Sequence, residues 1–200
     1  AEAPRAILLA LLQDSEVISR AVAQYSPALI AADLIGLIRK TDLVLLNAIV
    51  LRERISARVA EALIARNERS ITLKLLPRHD APIPPGLLGR LADEQGIGDA
   101  ELRGLLLARP DLPPSARLLL VEAASFALRN ARLVKGAIAA PRLERLLRDA
   151  ADDAVSAIGE TEAQSSAATF ATELVETERL SARVMLHAVV NGHVLFFADC

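Results

Sequence analysis

Apolar residues recur along this chain at helical spacing, in short runs separated by polar punctuation. Val59, Leu63 and Ile64 form one such set, and Leu87, Leu88 and Leu91 another. The runs themselves repeat. From Asp42 an apolar stretch over 43–51 leads to Arg52-Glu53-Arg54-Ile55-Ser56 and a second apolar stretch over 57–64. At Asp99, 57 positions on, a helical stretch ending in Leu105-Leu106-Leu107 leads to Arg109-Pro110-Asp111-Leu112-Pro113 and a second run over 115–121. Midway, 28 positions after Asp42, Ser70 opens a third copy, with Leu75-Leu76 closing its first helix and Ile83-Pro84 at its turn. A weaker copy starts at Asp14 and turns at Tyr25-Ser26-Pro27.

The punctuation is that of helix ends. Asp14, Asp42, Ser70 and Asp99 can accept a bond from the unpaired N–H groups of a first turn. Ser26, Ser56 and Pro84 or Pro85 stand where a second helix begins, as cap or first-turn proline. On this reading Ser56→Ala costs about 1 kcal/mol. A single hairpin of this size cannot bury its own apolar face, so the copies must stack. The expected fold is all-α: a short right-handed solenoid of four helical hairpins over 1–121, followed by a C-terminal helical region over 122–200 packed on it.

In that second region the repeat fades. Residues 118–134 are apolar on most sides, which predicts a long helix buried among its neighbours and broken at Gly136 and Pro141. Leu143, Leu146, Leu147, Ala150, Ala154 and Ile158 follow a helical stripe. The small polar segment 161–166 predicts a loop or a frayed helix end, and Ser181 a cap. The ending Phe196-Phe197-Ala198-Asp199-Cys200 predicts either a piece cut from a longer protein or a final helix that packs inward.

Composition agrees with helices: 52% hydrophobic, 2% aromatic, rich in Leu and Ala. Net charge is −2, unevenly placed. Residues 1–148 hold 21 Lys and Arg against 16 Asp and Glu, whereas 149–200 hold 2 against 9. Such asymmetry fits an interaction surface, or simply two differently solvated faces. A single cysteine, Cys200, allows no internal disulfide, and no apolar run reaches the length of a spanning helix. The expectation is a cytoplasmic protein without membrane insertion.

Candidate chemistry is sparse. His79 beside Asp80 is a solvated turn before it is a general base. His187, His193 and Cys200 carry zinc-ligating groups at a spacing that matches no compact zinc pattern. Gly96-Ile97-Gly98 lacks the third glycine and the preceding strand of a phosphate-binding fingerprint, and reads as a helix stop before the Asp99 cap. No catalytic residue, metal site or cofactor is expected. Arginine outnumbers lysine 20 to 3, and the polar feature with functional promise is a double row: Arg129, Arg132 and Lys135, then Arg142, Arg145 and Arg148. Two antiparallel helices joined across 136–141 would set the rows side by side, where guanidinium forks suit carboxylates or phosphates. Pairing with Glu144, Asp149, Asp152 and Asp153 would account for them without any function.

The unit, with Asp at its start, a turn of the form Arg-x-x-Ile/Leu-Ser/Pro and an apolar second helix, resembles a HEAT-type repeat. Ala108-Arg109-Pro110-Asp111-Leu112-Pro113 and the segment 180–192, followed by Phe196-Phe197, are similar to a family of uncharacterised, mainly alphaproteobacterial HEAT-like proteins filed as a domain of unknown function. His193 stands where that family's pattern suggests an acidic residue. The resemblance implies a helical-repeat fold and no activity. The function expected from the residues is a non-catalytic, protein-binding scaffold or regulatory module. One alternative is a sensor for a small, nucleotide-like anion held by the arginine rows. The other is a HEAT-like nucleic-acid-binding module, which the acidic balance and the scarcity of aromatic residues disfavour. The partner's identity and the oligomeric state are not legible from the residues.

Overall fold

A computed structural model describes residues 4–165 and 168–200. Among these residues there are fourteen α-helices and one π-helical turn, and no strand: the protein is all-α. No helix among them is long and apolar enough to cross a membrane. The chain divides into two compact units, Ala1–Leu87 and Leu88–Cys200. The position 121/122, where the repeat fades in the sequence, lies inside a helix of the second unit.

The first unit runs α1 (Arg5–Leu11), α2 (Glu16–Tyr25), α3 (Ala31–Ile38), α4 (Leu43–Val50), α5 (Ala57–Ala65), α6 (Arg69–Leu75) and the start of α7 (Pro85–Leu91). Alternate helices stack: α2 packs on α4 and α4 on α6, while α3 packs on α5. The helical spacing explains the stacking, because each helix carries one apolar stripe and each stripe needs a neighbour. Ala23, Ile38, Leu46, Ile49, Val59, Leu63, Ile71 and Leu75 are essentially inaccessible.

Several caps fall where the residues predict. The Asp42 carboxylate accepts from the Leu45 N–H at 3.2 Å. Pro85 is the first residue of α7. Others do not. The cap of α2 is Ser15 rather than Asp14, whose carboxylate accepts from the Ser15 N–H. Glu68 precedes α6, placing Ser70 within its first turn. Ser26 ends α2 instead of starting α3, which begins after Ile30. Ser56 holds the cap position of α5, yet its hydroxyl makes no cap bond.

The second unit continues through the π-helical turn Ala92–Gly96, α8 (Ala100–Leu107), α9 (Pro114–Asn130), α10 (Arg132–Ala137), α11 (Ala140–Ala163), α12 (Thr169–Glu176), α13 (Ala182–Asn191) and α14 (Val194–Asp199). Asp99 caps α8 through the N–H groups of Glu101 and Leu102, and Ser181 caps α13 through that of Val184. Gly96 is needed for space: a methyl there would lie 2.7 Å from Leu120. α11 is the central element, packing against α9, α12, α13 and α14. Leu118, Val155, Ile158, Phe170, Ala171, Leu174, Val184, Ala188 and Phe196 form the core around it.

Two expectations for this half need correction. The helix expected over 118–134 breaks at Ala131, whose ψ of 125° is extended, and its second half is exposed rather than buried. Pro141 does not break a helix but sits in the first turn of α11, where a missing N–H costs nothing. Of the loop or frayed helix end expected over 161–166, the described part is a helix end: α11 runs to Ala163, and Ser166 lies outside the described residues. The last helix of this sequence packs inward through Phe196, which is 1% exposed.

Candidate interaction surface

Helix ends set the first layer of the architecture that any surface must be built on. The last carbonyls of a helix have no partner within it, and burial without one is costly. In the first unit arginines supply the donors, each reaching back by close to one repeat, 25–29 positions. Arg52 donates to the carbonyls of Ala23 and Ser26 at the end of α2. Arg66 donates to those of Arg39 and Thr41 after α3. Arg78 donates to those of Val50, Arg52 and Glu53 after α4, and to the Asp80 carboxylate. That bond from Arg78 holds the Asp80 carboxyl below its ordinary range. Burial lowers the pKa of Arg52, which sits among neutral carbonyls.

The second unit uses the same device over shorter distances. Arg103 donates to the carbonyls of Gly96 and Ile97, and Arg117 to those of Leu107 and Arg109. Burial lowers the pKa of Arg117, with Asp111 opposing. Arg109, 2% exposed, grips Asp111 with two nitrogens at 2.8 and 2.7 Å. The turn pattern beginning at Arg52 and at Arg109 therefore starts, in each case, with a buried structural arginine.

The double row is arranged differently from its expectation. Arg129 ends α9, but Arg132 and Lys135 lie on α10, beyond the break at Ala131, so the first row does not share one helix. Arg142, Arg145 and Arg148 do share α11, which packs against α9. Arg129 is committed: its Nε and Nη2 donate to both oxygens of Glu144, at 2.7 and 3.0 Å, tying α9 to α11. That bond holds the Glu144 carboxyl below its ordinary range, with a smaller contribution from Arg148. Lys135 donates to Asn130. Arg132, Arg142, Arg145 and Arg148 are exposed and have no side-chain bond or ion pair among the described residues. The other acids expected to neutralise the rows are engaged elsewhere. Asp149 and Asp152 pair with Arg183 of α13, and Asp153 accepts from Asn191.

Large apolar side chains lie in the open on α9, α10 and α11. Leu133 on α10 is 89% exposed, and Phe126 and Leu128 on α9 and Leu146 on α11 are also exposed. Leu146 belongs to the predicted α11 stripe, of which Leu143, Leu147 and Ile158 are buried. A second apolar surface lies on α13 and α14. Val184 and Ala188 face the core, while Leu186, Val189 and Val190 on α13 and Val194, Leu195 and Phe197 on α14 are exposed.

The histidines are spread out. His79 is exposed in the turn after α6. His193 Nδ1 lies 3.0 Å from the Ser156 hydroxyl, and His187 is half-buried on α13. Partial burial, and then the charge of Asp199, push the Cys200 thiol up. Among the described residues no three His, Cys, Asp or Glu side chains gather into a group able to hold a metal ion.

A family model described as an uncharacterised protein conserved in bacteria (DUF2336) matches residues 18–200. The chain belongs to this family. No curated protein and no solved structure matches it. The match takes in most of α2 and every later helix, and with them the buried arginines and both exposed apolar surfaces.

Residue-by-residue reading missed the buried arginines and the exposed apolar residues for one reason. Arginine and leucine types do not announce their burial. A signal was present for the first: Arg52 and Arg78 each follow the first helix of a hairpin by two or three positions, at the repeat's own spacing.

Proposed function

We propose that this chain is a non-catalytic, protein-binding scaffold or regulatory module. It carries HEAT-like hairpins, works in the cytoplasm, and binds its partner through the exposed side of α9, α10 and α11. One observation carries the reading: on these elements four exposed arginines with no side-chain hydrogen bond or ion pair among the described residues stand with the open side chains of Phe126, Leu128, Leu133 and Leu146. Arginine, aromatic and large aliphatic groups together have the composition of a protein–protein interface core, where each is useful only once covered. The chemistry fits a partner segment that presents carboxylates beside apolar side chains. The Arg129–Glu144 pair keeps α9 and α11 in register beneath that surface without contributing a free charge.

The test is affinity capture from bacterial lysate at low and moderate salt, with three baits: the intact chain, Leu133→Ser, and Arg142→Ala/Arg145→Ala/Arg148→Ala. All the changed residues are exposed, so the variants fold. The reading expects one protein enriched on the intact chain and lost from both variants. Equal retention on all three baits, or no specific retention on any, overturns it.

A further inference from the structure

A groove of about 630 Å³ opens in the first unit between two successive inter-helix turns. One wall comes from the end of α2 and the loop to α3 (Gln24, Tyr25, Pro27, Leu29), the other from the loop between α4 and α5 (Leu51 to Arg54). Its size is that of a small-molecule site, and its lining mixes apolar surface with a few polar groups. Arg52 lines it and is more than nine-tenths buried. Its Nη atoms hold neutral carbonyls, its Nε has no acceptor, and among the described residues no carboxylate pairs with it. A buried cation without a counter-ion is an expensive arrangement that a bound anion relieves.

Further donors stand at the rim. The nine-residue α5 begins at the groove, where Ser56 lines it with a hydroxyl that caps nothing. The N–H groups of Ala57 and Arg58 have no acceptor among the described residues, so the positive end of this helix is open. Arg54 is exposed, lines the groove and has no hydrogen bond or ion pair among the described residues. The neighbouring helix α3 is different: Asp33 already occupies its first turn and accepts from the Ile30 N–H. Glu53 is the one carboxylate among the lining residues and opposes an anion. Tyr25, 73% exposed, lines the groove together with the apolar side chains of Leu29, Leu34, Leu51 and Val59.

We infer that this groove binds a small phosphorylated molecule, with the phosphoryl group at the start of α5 between Ser56, Arg54 and Arg52, and with a flat apolar body against Tyr25. Oxyanions at helix N-termini are held by the geometry present here, backbone N–H groups backed by an arginine. This site is independent of the α9–α11 surface: it uses none of the residues there, and either can fail alone.

The experiment is calorimetric titration of the full chain with adenosine monophosphate, inorganic phosphate and adenosine at low salt. The monophosphate is expected to bind, inorganic phosphate to bind more weakly, and adenosine not to bind. Arg54→Ala, a change at an exposed residue, should weaken both phosphate-bearing probes about tenfold, the effect of losing one charge-assisted contact. Tyr25→Ala should weaken the monophosphate and leave inorganic phosphate unchanged. Glu53→Gln should tighten both, and Arg142→Ala/Arg145→Ala/Arg148→Ala should change neither. Failure of both phosphate-bearing probes to bind, or binding that Arg54→Ala leaves intact, overturns the site. Inorganic phosphate binding as tightly as the monophosphate overturns the part assigned to Tyr25.

Discussion

Gly159 of α11 lies directly against the ring of Phe196 in α14, so close that a methyl group on residue 159 would overlap the ring carbons. The contact explains how a six-residue helix is anchored. A helix as short as α14 has no stability of its own. It is held by Phe196 in the core and by the Phe196 N–H, which donates to Glu160 at 2.9 Å. Gly159→Ala should therefore destabilise the second unit by about 1–3 kcal/mol, the usual cost of overpacking. Phe196→Ala should cost about 3–5 kcal/mol. Combined, they should cost less than their sum, because the ring that the methyl strikes is gone. Chemical denaturation of the two single variants and the double variant checks this, and additive losses would contradict the contact.

The buried arginines can be weighed in the same way. Arg52→Met keeps much of the side chain's bulk but leaves the Ala23 and Ser26 carbonyls without their donor. Hydrogen bonds to a charged group contribute about 1.5–3 kcal/mol, so a loss of about 2–3 kcal/mol is expected in urea unfolding. Arg142→Met, at an exposed arginine with no hydrogen bond or ion pair among the described residues, should change stability by less than about 0.5 kcal/mol. Equal losses at the two positions would mean that the carbonyl bonds contribute nothing.

Cap substitutions should separate by whether a bond exists, not by residue type. Asp42→Ala and Asp99→Ala each remove an acceptor from the first turn of a helix and should cost about 1 kcal/mol. Ser56→Ala, at a cap position where the hydroxyl makes no bond, should cost less than about 0.5 kcal/mol. Melting curves of the three variants suffice, and a Ser56 loss as large as that of Asp42 would refute the distinction.

The Arg129–Glu144 pair predicts a local pH response. The folded-state pKa of Glu144 is depressed, chiefly by the bond from Arg129. A depressed carboxyl stabilises the fold above its unfolded pKa, and that contribution fades as pH falls through the folded value. The link between α9 and α11 should thus be intact at neutral pH and lost only below the ordinary glutamate range. Carbon-detected NMR titration should find Glu144 protonating at lower pH than an unpaired glutamate, and Arg129→Ala should move it back up. An unchanged titration in that variant would mean that the pair does not form in solution.

Much of the helical layout was legible from local chemistry. Asp42, Asp99, Ser181 and Pro85 start helices because a cap or a first-turn proline acts on N–H groups within three residues of itself. The failures at Asp14, Ser26 and Ser70 were shifts of a helix start by a few residues, where a neighbour or a tertiary contact won. Ser26 shows the mechanism: its carbonyl receives Arg52, from 26 positions away, and no local rule contains that bond.

By itself, then, the order of residues determined the all-α class and most of the helix starts, since each depends on residue type, period and nearest neighbours. The tertiary structure decided which arginines are buried staples and which stand free, that the far half of α9 lies open, and that Phe196 closes the second core. The physical reason is range. Arg52 meets Ala23, Arg183 meets Asp149 and Phe196 meets Glu160, across 29, 34 and 36 positions. Burial and charge pairing at such separations are properties of packed neighbours, which only the folded chain brings together.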